Sequence, residues 1–182
     1  MAFNPFDFFI KYHSREFSAR YRLVTLLIGA AVFLVVVPAL IIYISHAANA
    51  YIVETDIYNR AKTGVAAAFI ISGLAMVGWS ALVLWNTGKG TPAPVAPTKK
   101  LVVSGPYGYC ANPMELGLIF YCFGLGTYLD TFTTGVIASF LVLIIGSAYN
   151  RLVEEKELAL RFGDEYREYA KKTGFLIPNI WK

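Results

Sequence analysis

LVTLLIGAAVFLVVVPALIIYIS, residues 23–45, carries no charged side chain, and a helix of about 20 such residues, rising 1.5 Å each, crosses a bilayer core of about 30 Å. This stretch decides the fold class, with a bend expected at Pro38. Reading outward, TGVAAAFIISGLAMVGWSALVLW at residues 63–85 repeats the signal. Its Gly64, Gly73, Gly78 and several alanines are the small surfaces that let helices approach in lipid, which places this span centrally. Residues 113–129 and 131–150 are parted only by Asp130, so they are expected as a tight antiparallel hairpin. The third run is short for a span, and Gly117, Gly124 and Gly126 set it close against a neighbour.

The composition agrees. Hydrophobic residues make up 57% and charged residues 15% of the 182, and the mean hydropathy is +0.53. Soluble domains carry about 25% charge, so a soluble enzyme, a disordered chain and a nucleic-acid binder are excluded. Cys110 and Cys122 form no C-x-x-C pair, and with only His13 and His46 besides, no metal-ligand set is evident. The aromatic, charged start lacks a cleavage site and does not read as a signal peptide.

Past Asn150 the sequence turns polar but keeps helix formers, so the fourth helix is expected to run out of the bilayer, break near Gly163 and resume; Gly174 and Pro178 close the fold. All but two of the 16 basic residues, Arg60 and Lys62, fall on one side of this arrangement. The positive-inside rule then puts both termini and the 86–112 loop in the cytoplasm. Phe6, Phe9, Ile10, Phe17 and Tyr21 recur at near-helical spacing, which predicts an interfacial amphipathic helix over residues 1–22. The chain thus divides into residues 1–22, two spans within 23–85, and 86–182. The expected fold is all-α, with about four transmembrane helices.

Three segments with chemical potential face the same compartment. The loop NTGKGTPAPVAPTKKLVVSGPYGYCAN, residues 86–112, is long for a connection between packed helices. Its Gly88, Gly90 and Gly105 allow a backbone to approach a ligand, with a flexible exit from the second span as the weaker alternative. Asn112, Pro113, Met114 and Glu115 form a complete capping-box pattern, yet Glu115 also stands at the membrane mouth, where a carboxylate is a functional candidate. Glu154 and Glu155 follow the fourth span directly, either solvating a helix or facing a pocket. A glycine loop, a helix N-terminus and two carboxylates suit a zwitterionic or cationic cofactor.

The strings LVVSGPYGYCANPMELG and VEEKELALRFGDEYREYAKKTGFLIP, separated by a helical hairpin, resemble the membrane methyltransferase superfamily that includes isoprenylcysteine carboxyl methyltransferases and phosphatidylethanolamine N-methyltransferases. The resemblance runs from about Gly88 to Pro178, and the first two spans share only topology with it. It implies S-adenosylmethionine bound on the cytoplasmic side and a membrane lipid or lipid-linked acceptor arriving laterally. Gly88, Lys89 and Gly90 look like the G-x-G cofactor element of the phospholipid branch. Leu101, Val102 and Tyr107 match loop positions around the cofactor in the isoprenylcysteine branch, where Lys99 and Lys100 differ in type. Asn112, Pro113 and Met114 follow the phospholipid branch, Glu115 replaces its tyrosine, and Glu154 and Glu155 match the paired glutamates of both.

Asn150 stands where the isoprenylcysteine enzymes carry a substrate-binding arginine, and Arg151 lies about 100° away around a helix. Losing an arginine and gaining Glu115 disfavours a carboxylate acceptor, so an ethanolamine-type phospholipid amine is the expected substrate. Glu115, Asn150 and Arg151 are the candidate catalytic residues. On this reading the glycine loop and the Asn112 helix start hold the cofactor carboxylate, Glu154 and Glu155 its ammonium or ribose, and Tyr107 its adenine. Carboxyl methylation, an NADPH-dependent sterol-type reduction and a non-catalytic scaffold remain the alternatives.

Overall fold

The structure, a computed structural model, describes residues 17–50 and 59–177. Within these it is helical apart from loops and an isolated parallel bridge between Cys110 and Gly174. Helix α1 spans Ala19–Asn49, α2 Asn59–Asn86, α3 Pro113–Leu129, α4 Phe132–Tyr149 and α5 Glu155–Lys172. Three stretches are long and apolar enough to cross a membrane: Ala19–Asn49, Ala61–Asn86 and Phe132–Lys172, the last running from α4 into α5. The protein is an integral membrane protein. Helix α3, at 17 residues, is about 26 Å long and sits at the short limit for a span.

Residues 17–22 correct the expected N-terminal boundary. Ser18, a preferred N-cap residue, accepts the Tyr21 N–H on its hydroxyl at 3.3 Å and the Arg22 N–H on its carbonyl at 3.0 Å. Ala19 to Arg22 therefore form the first turn of α1 rather than the end of a separate helix. The rest of the expected interfacial helix, residues 1–16, lies outside the described residues, as do Pro178 and Lys182.

The chain contacts divide the molecule into two compact units. One, here the bundle unit, comprises Val32–Gly78 and Pro113–Ala148; the other, the loop unit, comprises the chain up to Ala31, Trp79–Asn112 and the chain from Tyr149 onward.

In the bundle unit the bend expected at Pro38 takes the form of a π-helical turn, Val32–Val36, just upstream. Proline has no N–H to give the carbonyl four residues earlier, that of Leu34. The Tyr121 hydroxyl of α3 donates to that carbonyl at 3.0 Å instead. Ile41, Cys122, Ala138 and Val142 form the buried core, drawn from α1, α3 and α4.

The short α3 is the central helix here, a correction to the expectation for α2. Gly117 and Gly124 are two turns apart on one face, and a Cβ added to either would meet α2 at 2.9 Å from the Gly73 carbonyl oxygen or 2.6 Å from that of Ala66. On another face Gly126 packs against Gly135 of α4, where added Cβ atoms would again collide with backbone. Gly64 and Gly78 of α2 have no atom within 4 Å of a would-be Cβ, so that side of α2 is open. Small residues bring a helix to the centre only where they recur on faces that neighbours approach, and α3 has two such faces. The expected hairpin is present, with the Thr131 hydroxyl capping α4 by accepting the Thr134 N–H at 3.1 Å.

Candidate functional site

The loop unit carries most of the motif residues. After α2 the chain folds back on itself: the Lys99 N–H donates to the Gly88 carbonyl at 2.7 Å, and the Thr91 N–H donates to that of Ala96 at 2.8 Å. Gly88 and Gly90 are glycine because the returning limb lies on them, with Thr98 atoms 2.7 Å and 2.4 Å from their would-be Cβ positions. The Gly90 N–H is already given to the Leu84 carbonyl at 3.3 Å, so it is not a donor toward a ligand carboxylate. Between them, Lys89 has φ 54 and is exposed. Further on, Gly105 has φ 61 and lies against Val83 and Trp79, a conformation and a space that suit only glycine.

Helix α5 holds this loop. Arg161 pairs with Glu157 one turn before it at 2.5 Å, and its guanidinium also donates to the Thr98 carbonyl and, at 3.3 Å, to the Thr98 hydroxyl. The two charged side chains are only 4% and 10% exposed. The Tyr169 hydroxyl donates to the Tyr107 carbonyl at 2.7 Å. Beyond α5 the chain returns to the loop: Ala111 and Asn112 donate their N–H groups to Gly174 and Phe175 at 2.8 and 3.1 Å, and the Asn112 side-chain amide adds a bond to the same Phe175 carbonyl.

These bonds leave Tyr107 within electrostatic reach of Glu154. Burial raises the Tyr107 phenol well above its ordinary range, and the nearby Glu154 carboxylate adds to the rise, followed by Tyr169 and Cys110. The phenol therefore stays protonated. Burial also raises the Cys110 thiol, against a partly opposing backbone hydrogen bond from Asn112, which makes Cys110 a packing residue rather than a nucleophile. Val102 is buried and Leu101 half-buried in the same loop.

Asn150 to Glu154 form a π-helical turn, which places Asn150 inward and buried while Arg151 is exposed, its guanidinium 4.5 Å from the Phe175 ring centre. Arg151 is thus engaged with the C-terminal segment. Glu154 and Glu155 are both half-buried. Such π-turns inside α-helices are frequent at functional sites, and no residue pattern in the sequence announced this one. The pair Glu157 and Arg161 was likewise not foreseen as an anchor, although its i,i+4 spacing was visible.

Glu115 belongs to the bundle unit. Pro113 is the first residue of α3, as the capping pattern predicts, and Met114 is half-buried. Glu115 is buried, and its Oε1 accepts the Ser147 hydroxyl of α4 at 2.8 Å. A Cβ on Gly146 would lie 2.9 Å from that same oxygen, so glycine is what gives the carboxylate its place against α4. Ser147 and Gly146 sit inside an apolar run, which carries no sequence signal of a partner for a carboxylate.

The fold and these clusters define a polytopic helical membrane protein in which most of the polar motif residues, Glu115 apart, belong to a loop held by the helix after its last span. The chain belongs to the phospholipid methyltransferase family: that family's model matches residues 61–165, more than half of the chain. It is a membrane methyltransferase of the kind that acts on lipid. No curated protein and no solved structure matches it.

Proposed function

We propose that the protein transfers a methyl group from S-adenosylmethionine to the amine of an ethanolamine-type phospholipid. The observation that carries this reading is that α5 is bonded to the loop, through Tyr169 to the Tyr107 carbonyl and Arg161 to Thr98, with Glu154 in electrostatic reach of the Tyr107 phenol. Its donor set suits the cofactor: carboxylates at Glu154 and Glu155 for an ammonium or ribose hydroxyls, and the Tyr107 ring for an adenine. The cofactor supplies a sulfonium-activated methyl, so the protein has mainly to orient the acceptor and keep water out. Glu115, held by Ser147, is a buried carboxylate suited to orient an amine and take its proton. Asn150, buried where the carboxyl-methylating branch has an arginine, favours an amine over a carboxylate acceptor.

The distribution of basic residues supports a cytoplasmic loop 86–112 and cytoplasmic termini. One experiment covers both points: labelled S-adenosylmethionine, which does not cross a bilayer, is supplied to sealed inside-out and right-side-out vesicles containing phosphatidylethanolamine. Labelled lipid is expected only in inside-out vesicles. Glu115→Gln should lower turnover about 10²–10⁴-fold while cofactor affinity stays nearly constant. A methyl ester of a prenylated cysteine as product, or normal turnover in Glu115→Gln, refutes the amine reading.

A further inference from the structure

In the bundle unit a groove of about 570 Å³ runs between α1 and α3, lined by Leu34, Ala39, Ile42, Tyr121 and Leu125 and ending at His46 and Asp130. Leu34 is the midpoint of Ala19–Asn49, so the groove starts halfway along the span and ends at its tip. Leu34 and His46 are twelve positions apart on the helix, about 18 Å, against about 15 Å for half the hydrocarbon core. The groove is one leaflet deep. At its inner end the groove is lined by Leu34, inside the π-turn, and by Tyr121, whose hydroxyl is bonded to the Leu34 carbonyl.

The outer end is charged. Asp130 Oδ2 takes both His46 Nδ1 at 2.8 Å and the Thr134 hydroxyl at 2.5 Å. Oδ1 has no hydrogen bond among the described residues, although Asp130 lines the groove. Lys62 donates to the Asp130 main-chain carbonyl and so puts one ammonium group beside that carboxylate. An apolar slot of leaflet depth ending in the Asp130 carboxylate with the Lys62 ammonium beside it complements one acyl chain beneath an ammonium-phosphate headgroup. It opens at the far end of α3 from Glu115, 15 residues or about 22 Å along the helix.

We propose that this groove is a specific site for one aminophospholipid of the leaflet opposite to Glu115, separate from the methyl acceptor and independent of its identity. The test titrates delipidated protein in detergent with palmitoyl-oleoyl phosphatidylethanolamine and reads bound lipid by native mass spectrometry. A saturable single adduct is expected. Ala39→Trp and Leu125→Trp, which fill the groove from either helix, should each lower retention at least tenfold without lowering the thermal midpoint. Asp130→Asn should weaken phosphatidylethanolamine several-fold and leave phosphatidylglycerol unchanged. An undiminished adduct in both tryptophan variants, equal retention of the two lipids by wild type, or a second protein chain in place of the lipid overturns the proposal.

Discussion

Replacing Arg161 with leucine tests how the loop is held. The guanidinium joins Glu157 to the Thr98 carbonyl, and both charged side chains are almost fully enclosed, at 4% and 10% exposure. Arg161→Leu keeps most of the side-chain volume but leaves the Glu157 carboxylate without its cation and Thr98 without its donor. Breaking a buried pair from one side costs about 3–5 kcal/mol, far more than the pair contributes relative to an apolar substitute. For a chain of this size that corresponds to a fall in the thermal midpoint on the order of 10 °C. The double variant Glu157→Gln, Arg161→Leu removes the stranded charge and should recover most of the loss, so the two substitutions are strongly non-additive. Two assays report on it: thermal unfolding in detergent, and tryptic cleavage at exposed Lys100, two residues from the anchor. Faster cleavage in the single variant than in the double is expected. Both variants within about 0.5 kcal/mol of wild type, with unchanged cleavage, would refute the anchoring role, because that is what a solvated surface pair gives.

Two further outcomes follow from the packing and the electrostatics. Gly117→Ala and Gly124→Ala should each lower the thermal midpoint by several degrees, because their Cβ atoms meet helix backbone at 2.9 and 2.6 Å, whereas Gly78→Ala, which meets nothing within 4 Å, should be neutral or slightly stabilising. Equal effects at the three positions would sink the seam assignment. The raised Tyr107 phenol means that the folded protein holds a proton which the unfolded chain releases near pH 10. Its contribution to stability is intact below that pH and is lost as pH rises toward the folded value, so alkaline unfolding should be less steep in Tyr107→Phe than in wild type. Identical alkaline profiles would contradict the burial of the phenol beside Glu154.

The sequence by itself determined the membrane class, the helical content, the hairpin at Asp130, the break at Gly163, where φ is 55, and the membrane methyltransferase family, whose model matches residues 61–165. These are readable because chain-local physics sets them: an uncharged run of spanning length, a turn between apolar runs, a glycine where the helix must break. Tertiary structure alone decided which helix lies at the centre, because a glycine stripe on α2 looks the same in sequence whether or not a neighbour arrives, and only Gly73 received one. It also decided what the motif glycines do, since Gly88 and Gly90 meet Thr98, a residue about ten positions on, rather than open space. The capping pattern offers the Glu115 carboxylate a partner within its own helix, but the hydroxyl of Ser147, 32 residues away, donates to it. The π-turn at Asn150 to Glu154 was beyond sequence reading for the same reason. A helix register shift of that kind is favoured by what the side chains meet on other segments, and composition and period describe only the segment itself.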